Sequence, residues 1–218
     1  MPLAVLIVGR SNSGKTTLVE NLVREFKRRD RRLATIKHSV HDLDLDSPGK
    51  DSWRYTQAGS DTVIVSSPRQ LGLIRPTARD STIEELLQLI GQDVDLVLVE
   101  GFKNSGSQFP RIEVHREEVG ALLCRSEQLM AVVTDQPLDI AIPQFSPDDV
   151  GPLADMIEEL LIVHRQRDEI GLAINGTPVE LDAAAESTLH QGLVKLMSEL
   201  DGVAEMKTLD VSLRRGEE

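Results

Sequence analysis

"GRSNSGKTTL", residues 9–18, stands directly behind the apolar run "LAVLIV" (3–8) and leads into "VENLVREFKRR" (19–29). The apolar run has the length and character of a strand buried on both faces of a parallel sheet. In the segment that follows, Leu18, Leu22, Val23 and Phe26 share one helical face. Between them, glycine, four residues, glycine, lysine and threonine spell a phosphate cradle. Gly9 and Gly14 relieve the φ restriction and leave no Cβ in the way, so successive backbone N–H groups can turn inward to an anion. Asn12, Ser13 and Thr17 belong to the same loop and helix start. Lys15 supplies a flexible positive charge for the β and γ phosphates, and the Thr16 hydroxyl is placed to ligate Mg²⁺. The helix N-terminus adds its partial positive charge. Strand, loop and helix come in the required order, so the chain is expected to bind a nucleoside phosphate.

Outward from the loop, strands alternate with helices, which predicts an α/β fold with a mostly parallel sheet flanked by helices. "RRLATIKH" (31–38) reads as a strand ending at Lys37. A helix is expected from about Ser52, then strands in "SDTVIVSS" (60–67) and "QLGLIRP" (70–76). "STIEELLQLI" (81–90) is expected to be a helix capped by Ser81, with Glu84 completing a capping box. "DVDLVLVEGFK" (93–103) and "EQLMAVVTD" (127–135) read as buried strands. Ser146 is expected to cap a helix opened by Pro147, with Leu153, Ile157 and Leu161 on its apolar face.

Near residues 165–168 the texture changes. "IGLAINGTPVEL" (170–181) is two short runs joined by Asn175-Gly176, a hairpin signal. A helix follows, then a strand in "KTLDVSLRR" (207–215). This divides the chain into a nucleotide-binding unit, 1–168, and a small ββαβ extension, 169–218, with no catalytic cluster of its own.

In open α/β sheets ligands gather at the C-terminal ends of strands. Glu100 ends one apolar strand and suits a Mg²⁺ role beside a phosphate loop. Thr134 and Asp135 end another. A carboxylate there can accept paired hydrogen bonds from guanine N1–H and N2–H₂, which adenine does not offer, so guanine is favoured. In "KHSVHDLDLDSPGKDSWRY" (37–55), Lys37 can face phosphate, Lys50 can reach an anion, and Asp44, Asp46 and Asp51 are candidate Mg²⁺ partners. His38 and His41 lack a clear third ligand and are read as solvated or hydrogen-bonded rather than as a transition-metal site.

Composition sets the outer limits. The 218 residues are 40% hydrophobic and 28% charged, with a net charge of −12 that argues against general nucleic-acid binding. One cysteine, Cys124, allows no internal disulfide and is read as a small buried hydrophobe. "MPLAVLIV" is too short for a membrane span and lacks the basic flank of a signal peptide, so a cytoplasmic location is expected. The basic run "REFKRRDRR" (24–32) is read as a solvated helix end.

"GRSNSGKTTL", "TIKHSVHDLDLDSPGKDSWRYTQAGSD" (35–61), "DLVLVEGFK" (95–103), "FPRIEVHR" (109–116) and "AVVTD" (131–135) occur in the order and spacing of the molybdopterin-guanine dinucleotide biosynthesis protein B family, MobB. The resemblance covers about residues 3–165. It implies a P-loop GTP-binding protein of the molybdenum cofactor pathway, often a homodimer, that assists the guanylyltransferase joining GMP to molybdopterin and meets molybdopterin-bearing proteins. On this chain it implies that Gly9 to Thr17 hold the phosphates and that Thr16 and Glu100 lie at Mg²⁺. It also implies that Lys37, Lys50 and Asp51 lie near the nucleotide or the partner's cofactor. No residue that positions water for fast hydrolysis stands out, so a weak GTPase at most is expected. Two other readings stay open: a small-molecule kinase on the same loop, and a nucleotide-gated metal chaperone using His38 and His41.

Overall fold

The computed structural model describes residues 2–39, 41, 46–91, 93–103, 109–165, 172–174, 177–179 and 181–199. Its centre is a six-stranded parallel sheet made by β1 (Leu3–Val8), β2 (Leu33–Lys37), β5 (Leu96–Glu100), β6 (Arg111–His115), β7 (Ala131–Thr134) and β8 (Gln144–Phe145). The strand order is β2-β5-β1-β6-β7-β8. β1 is therefore central, with Leu3 opposite Leu96 on one side and Leu6 opposite Arg111 on the other. All six residues of β1 are buried, as its unbroken apolar sequence requires.

Helices cover both faces. α1 (Lys15–Arg28) and α4 (Val150–Arg165) lie on one, where Leu18, Leu22 and Phe26 meet Leu153, Ile157 and Leu161 over Val5, Ile7 and Leu98. α3 (Ile83–Ile90) covers the other, burying Ile83 and Leu87 against Leu6, Val8, Val97 and Val99. This is the expected α/β architecture.

Five local expectations are corrected or extended. The α3 cap is Thr82 with Glu85, one residue later than Ser81 and Glu84: Thr82 Oγ1 accepts from the Glu85 amide and Glu85 reaches back to the Thr82 amide. Both spacings fit a capping box, but only Glu85 is also gripped by Arg79, which selects that register. The expected helix after Ser146 begins later, at Val150. Residues 146–149 instead close a turn in which Ser146 Oγ accepts from the Asp148 amide and Asp149 Oδ2 from the Ser146 amide. β3 (Val63–Ser66) and β4 (Leu71–Ile74) do not enter the parallel sheet; they form a separate antiparallel hairpin after the short helix α2 (Asp51–Gln57). The strand β6 was not expected as an element, because Arg111, Glu113 and His115 alternate through it; all five of its residues are buried.

The fifth correction concerns the basic run. Arg29 Nη1 lies 2.7 Å from both Asp155 and Glu158 of α4, and Arg31 Nε lies 2.7 Å from Glu158. Glu25 receives Arg28 and Arg29 at 2.7 Å, and their hydrogen bonds hold its carboxyl down at about 2. The run is thus half of an ion-pair network that clamps α1 to α4, and only part of it is a solvated helix end.

In the extension, β9 (Leu172–Ile174) pairs antiparallel with β10 (Thr177–Val179), and α5 (Ala183–Ser198) starts at an Asp182 cap whose carboxylate accepts from the Ala185 amide. β10 lies beside α3. The Asn175-Gly176 turn and the strand expected at 207–215 lie outside the described residues. Among the described residues, no helix is long and apolar enough to cross a membrane.

Candidate functional site

The loop after β1 is shaped by backbone conformation. Gly9 has φ 145° and Gly14 φ 97°, both in the left-handed range, and Asn12, at φ 64°, is there without being glycine. A Cβ on Gly9 would strike the Val114 carbonyl and come within 2.8 Å of Ser13 Oγ; one on Gly14 would come within 3.3 Å of the Arg116 guanidinium. Gly9 is therefore demanded by close approach as well as by φ, and Gly14 chiefly by φ. Ser13 is fully buried and its hydroxyl has no partner among the described residues, an orphaned polar group at the base of the loop.

Lys15 opens α1 and donates to the Arg10 carbonyl at 2.6 Å, folding its ammonium group back over the loop. Burial lowers its proton affinity; Glu100 opposes that, and Lys37 and Lys103 reinforce it. Thr16 Oγ1 stands 3.2 Å from both Glu100 carboxylate oxygens. Glu100, buried at the end of β5, is also paired with Lys37 at the end of the neighbouring strand β2. The parallel register sets this up: Lys37 is opposite Glu100, and Glu100 opposite Ile7 of β1.

These residues fit Mg²⁺ and a nucleoside triphosphate. A hydroxyl and a carboxylate on one side, with waters and phosphate oxygens on the other, is the donor set Mg²⁺ takes. The metal would screen the terminal phosphates, and Lys15 with the loop amides would hold them. Among the described residues, no group of three or more His, Cys, Asp or Glu side chains converges on a metal position. His38 is otherwise engaged: its Nε2 is 2.8 Å from Asp80 Oδ2, and its ring stacks on Phe102 with centroids 4.1 Å apart. A cavity of about 870 Å³ runs from the loop and Thr17 past Lys37 and Glu100 to His38, His41, Asp80, Phe102 and Lys103.

The other expected residues lie elsewhere. Lys50 and Asp51 start α2 outside this cavity, and Asp51 faces Arg54 at 3.7 Å. Asp46 is described but does not line the cavity, and Asp44 lies outside the described residues. Arg75 donates to Thr62 Oγ1 and Arg79 to Glu85, and neither lines the cavity. Thr134 and Asp135 end β7, two strands from the loop. The Thr134 hydroxyl donates to the Gln136 carbonyl at 2.8 Å and contacts His115, while Asp135 Oδ1 accepts from the Glu117 amide at 3.3 Å.

Sequence reasoning missed Arg116. Its Nε donates to the Ser13 carbonyl at 3.1 Å, fixing the peptide that precedes Gly14. Glu113 supports the same wall by accepting from the Leu123 and Cys124 amides at 2.6 and 2.9 Å, and Ala121 in that segment accepts from Arg10 Nε. Cys124 itself is only half-buried, and its thiol is pushed up by desolvation and by Glu113. The signal available was the alternation of charged and apolar residues in "RIEVHR", which reads as a surface strand unless the charges have buried partners.

A sequence profile of the family described as Molybdopterin guanine dinucleotide synthesis protein B (MobB) matches residues 4–135, from β1 through the end of β7. The chain belongs to the MobB family. The "Molybdopterin-guanine dinucleotide biosynthesis adapter protein" of Haemophilus influenzae is 39% identical over 157 residues, 71% of this chain and 87% of that one. The Escherichia coli protein of the same name is 34% identical, over 68% of this chain and 87% of its own. A crystal structure of MobB superposes with a TM-score of 0.56 at 29% identity, covering 72% of this chain and 99% of that one. MobB from Bacillus subtilis superposes at 0.57 with 26% identity, covering 73% and 97%. These MobB structures share the six-stranded parallel sheet flanked by helices.

Proposed function

We propose that this chain is a GTP-binding adapter of molybdenum cofactor biosynthesis, taking Mg²⁺·GTP on residues 9–17 and assisting the guanylyltransferase that joins GMP to molybdopterin. The observation that carries the nucleotide reading is the loop itself, with Gly9 and Gly14 at positive φ, a Ser13 hydroxyl buried without a partner among the described residues, and Thr16 beside Glu100. The pathway reading leans on the two relatives named as adapters of that biosynthesis. In this reading Lys15 holds the β and γ phosphates, Thr16 and Glu100 hold Mg²⁺, and Asp135 reads guanine. Hydrolysis is slow, because Glu100 is engaged by Thr16 and Lys37 and, among the described residues, no side chain is set aside to orient water. The working form is a homodimer that meets the guanylyltransferase and molybdopterin-bearing proteins.

Titration calorimetry tests the core of this. GTP with Mg²⁺ should bind more tightly than ATP with Mg²⁺ or GTP with EDTA, and equal affinity in all three removes the assignment. Labelled phosphate moving to an organic acceptor, rather than to water, would favour a kinase. A pull-down from cells under GTP should recover the guanylyltransferase.

A further inference from the structure

The cavity is lopsided. Its lining comes from the ends of β1, β2 and β5, the start of α1 and Asp80, and includes nothing from β6 or β7. Phosphates on the loop, with their base toward Asp135, would fill the loop end and leave the β2 side open. At about 870 Å³ the hollow lies near the upper end of the ~300–1,000 Å³ usual for small-molecule sites, so there is volume for more than a terminal phosphate.

We infer that the half of this cavity beyond Glu100 is a second anion site, taking a phosphate monoester of an aromatic alcohol beside the terminal phosphate of the bound nucleotide. The inference rests on the reading that Mg²⁺·GTP occupies the loop, and it adds a second ligand to it.

The first ground is charge. Lys37, Lys103 and His41 line this half, and both lysines lie close enough to Lys15 to make its ammonium group less stable. Among the described lining residues two are carboxylates, and each is engaged: Asp80 with His38, and Glu100 with Thr16 and Lys37. A metal ion at Thr16 and Glu100 would take over the Glu100 charge and repel Lys37. That leaves the Lys37 and Lys103 ammonium groups facing the same space, an arrangement relieved by a phosphate dianion.

The second ground is the wall. The His38 ring is pinned by Asp80 and stacked on Phe102, so an aromatic surface is held rigid beside the cations. Strain in its backbone sits at Phe102, next to a position that glycine alone takes easily. Gly101 has φ 114°, where an added Cβ would come within 3.0 Å of His38, and Phe102 itself sits at φ 53°. A bulky aromatic in the left-handed region is uncommon, and such strain gathers at ligand sites. Cations beside a fixed aromatic face suit a phosphate carried on a planar group.

The experiment loads the full chain with Mg²⁺ and a non-hydrolysable GTP analogue, then titrates in phenyl phosphate and, separately, inorganic phosphate. Phenyl phosphate should bind saturably, one per chain, and more tightly than inorganic phosphate. In Lys103→Gln its affinity should fall about tenfold or more, the size of a lost charge-assisted hydrogen bond, while analogue affinity stays put. Three results overturn the inference: no binding to the loaded protein, displacement of the analogue by phenyl phosphate, or equal affinity for inorganic phosphate. A fourth is weaker analogue binding in Lys103→Gln, which would give Lys103 to the terminal phosphate. If the analogue fails to bind wild type, the nucleotide reading falls instead. The same titration of bare protein then decides the second site, and phenyl phosphate binding insensitive to Lys103→Gln overturns it.

Discussion

The two sides of the phosphate loop are built on different plans. Toward β5 and β2 the side chains face a hollow: Thr16 and Lys37 both meet Glu100 there, and Lys15 lines the same space while donating to the Arg10 carbonyl. Toward β6 and β7 polar groups are just as numerous, but they are spent on backbone. Arg116 holds Ser13, Glu113 holds two amides, His115 holds the Gly120 carbonyl, and Asp135 holds the Glu117 amide. One side is kept ready for ligand and the other stiffens the frame. Similar residue types thus serve opposite ends, and the difference lies in whether their partners are mobile side chains or fixed peptide groups.

The largest effect should come from the open side. Lys15→Ala removes a charge that already feels Glu100 and donates to the Arg10 carbonyl, but whose phosphate partner would arrive with ligand. GTP affinity should drop roughly a hundredfold at up to ~3 kcal/mol per charged hydrogen bond, with an unchanged melting temperature. Calorimetry beside thermal melts checks both, and a melting temperature that falls along with affinity would blur the contrast between the two sides.

Asp135→Asn probes the closed side. If Asp135 reads guanine, the preference for GTP over ATP should fall about tenfold on the loss of roughly 1.5 kcal/mol, measured by competition with a fluorescent analogue. If its only task is the Glu117 amide, the preference will not change, and the closed side is frame throughout. Thr16→Ala should cost less, several-fold, and only with Mg²⁺ present; an equal loss in EDTA would take Thr16 off the metal.

How much of this could be read from residues alone depends on how local the cause was. The tight loop after β1 was legible because its glycines answer to a backbone geometry spanning a few residues. Glu100 was legible as a carboxylate ending an apolar strand. Arg116 was not, since its partner, the Ser13 carbonyl, lies 103 residues away and is a peptide group that any sequence offers. The Thr82 cap was hidden by two overlapping capping boxes, resolved only by Arg79. The β3–β4 hairpin was readable as strands, but which sheet they join is decided by pairing that their sequences do not encode.

A smaller effect belongs to the clamp between α1 and α4. The Glu25 carboxyl is held at about 2, against an ordinary value of 4.5. A depressed carboxyl contributes fully above its unfolded value and loses that contribution as pH falls toward the folded one. The melting temperature should therefore decline between about pH 4.5 and 2, and Glu25→Gln should flatten part of that decline. Identical slopes in the variant and wild type would mean that Glu25 adds nothing to the clamp. Smallest of all should be the effect of ending the chain at Asp168: Mg²⁺·GTP affinity should be unchanged, with any difference confined to oligomeric state by light scattering. Lost affinity in a folded truncation would carry the ligand side of the comparison into the extension.

The central position of β1 also governs how the molecule is made. β1 has no neighbour until Leu96–Glu100 and then Arg111–His115 have been synthesised. At ~5–20 residues per second, the wait for about a hundred residues is roughly 5–20 s, during which an entirely apolar strand stays unpaired. Nucleotide can give little help in that interval, because Glu100 and Arg116, which flank the loop, come from the same late segments. The nascent chain is therefore most in need of a chaperone in that interval, and most of its dependence on one should end once residue 116 has emerged.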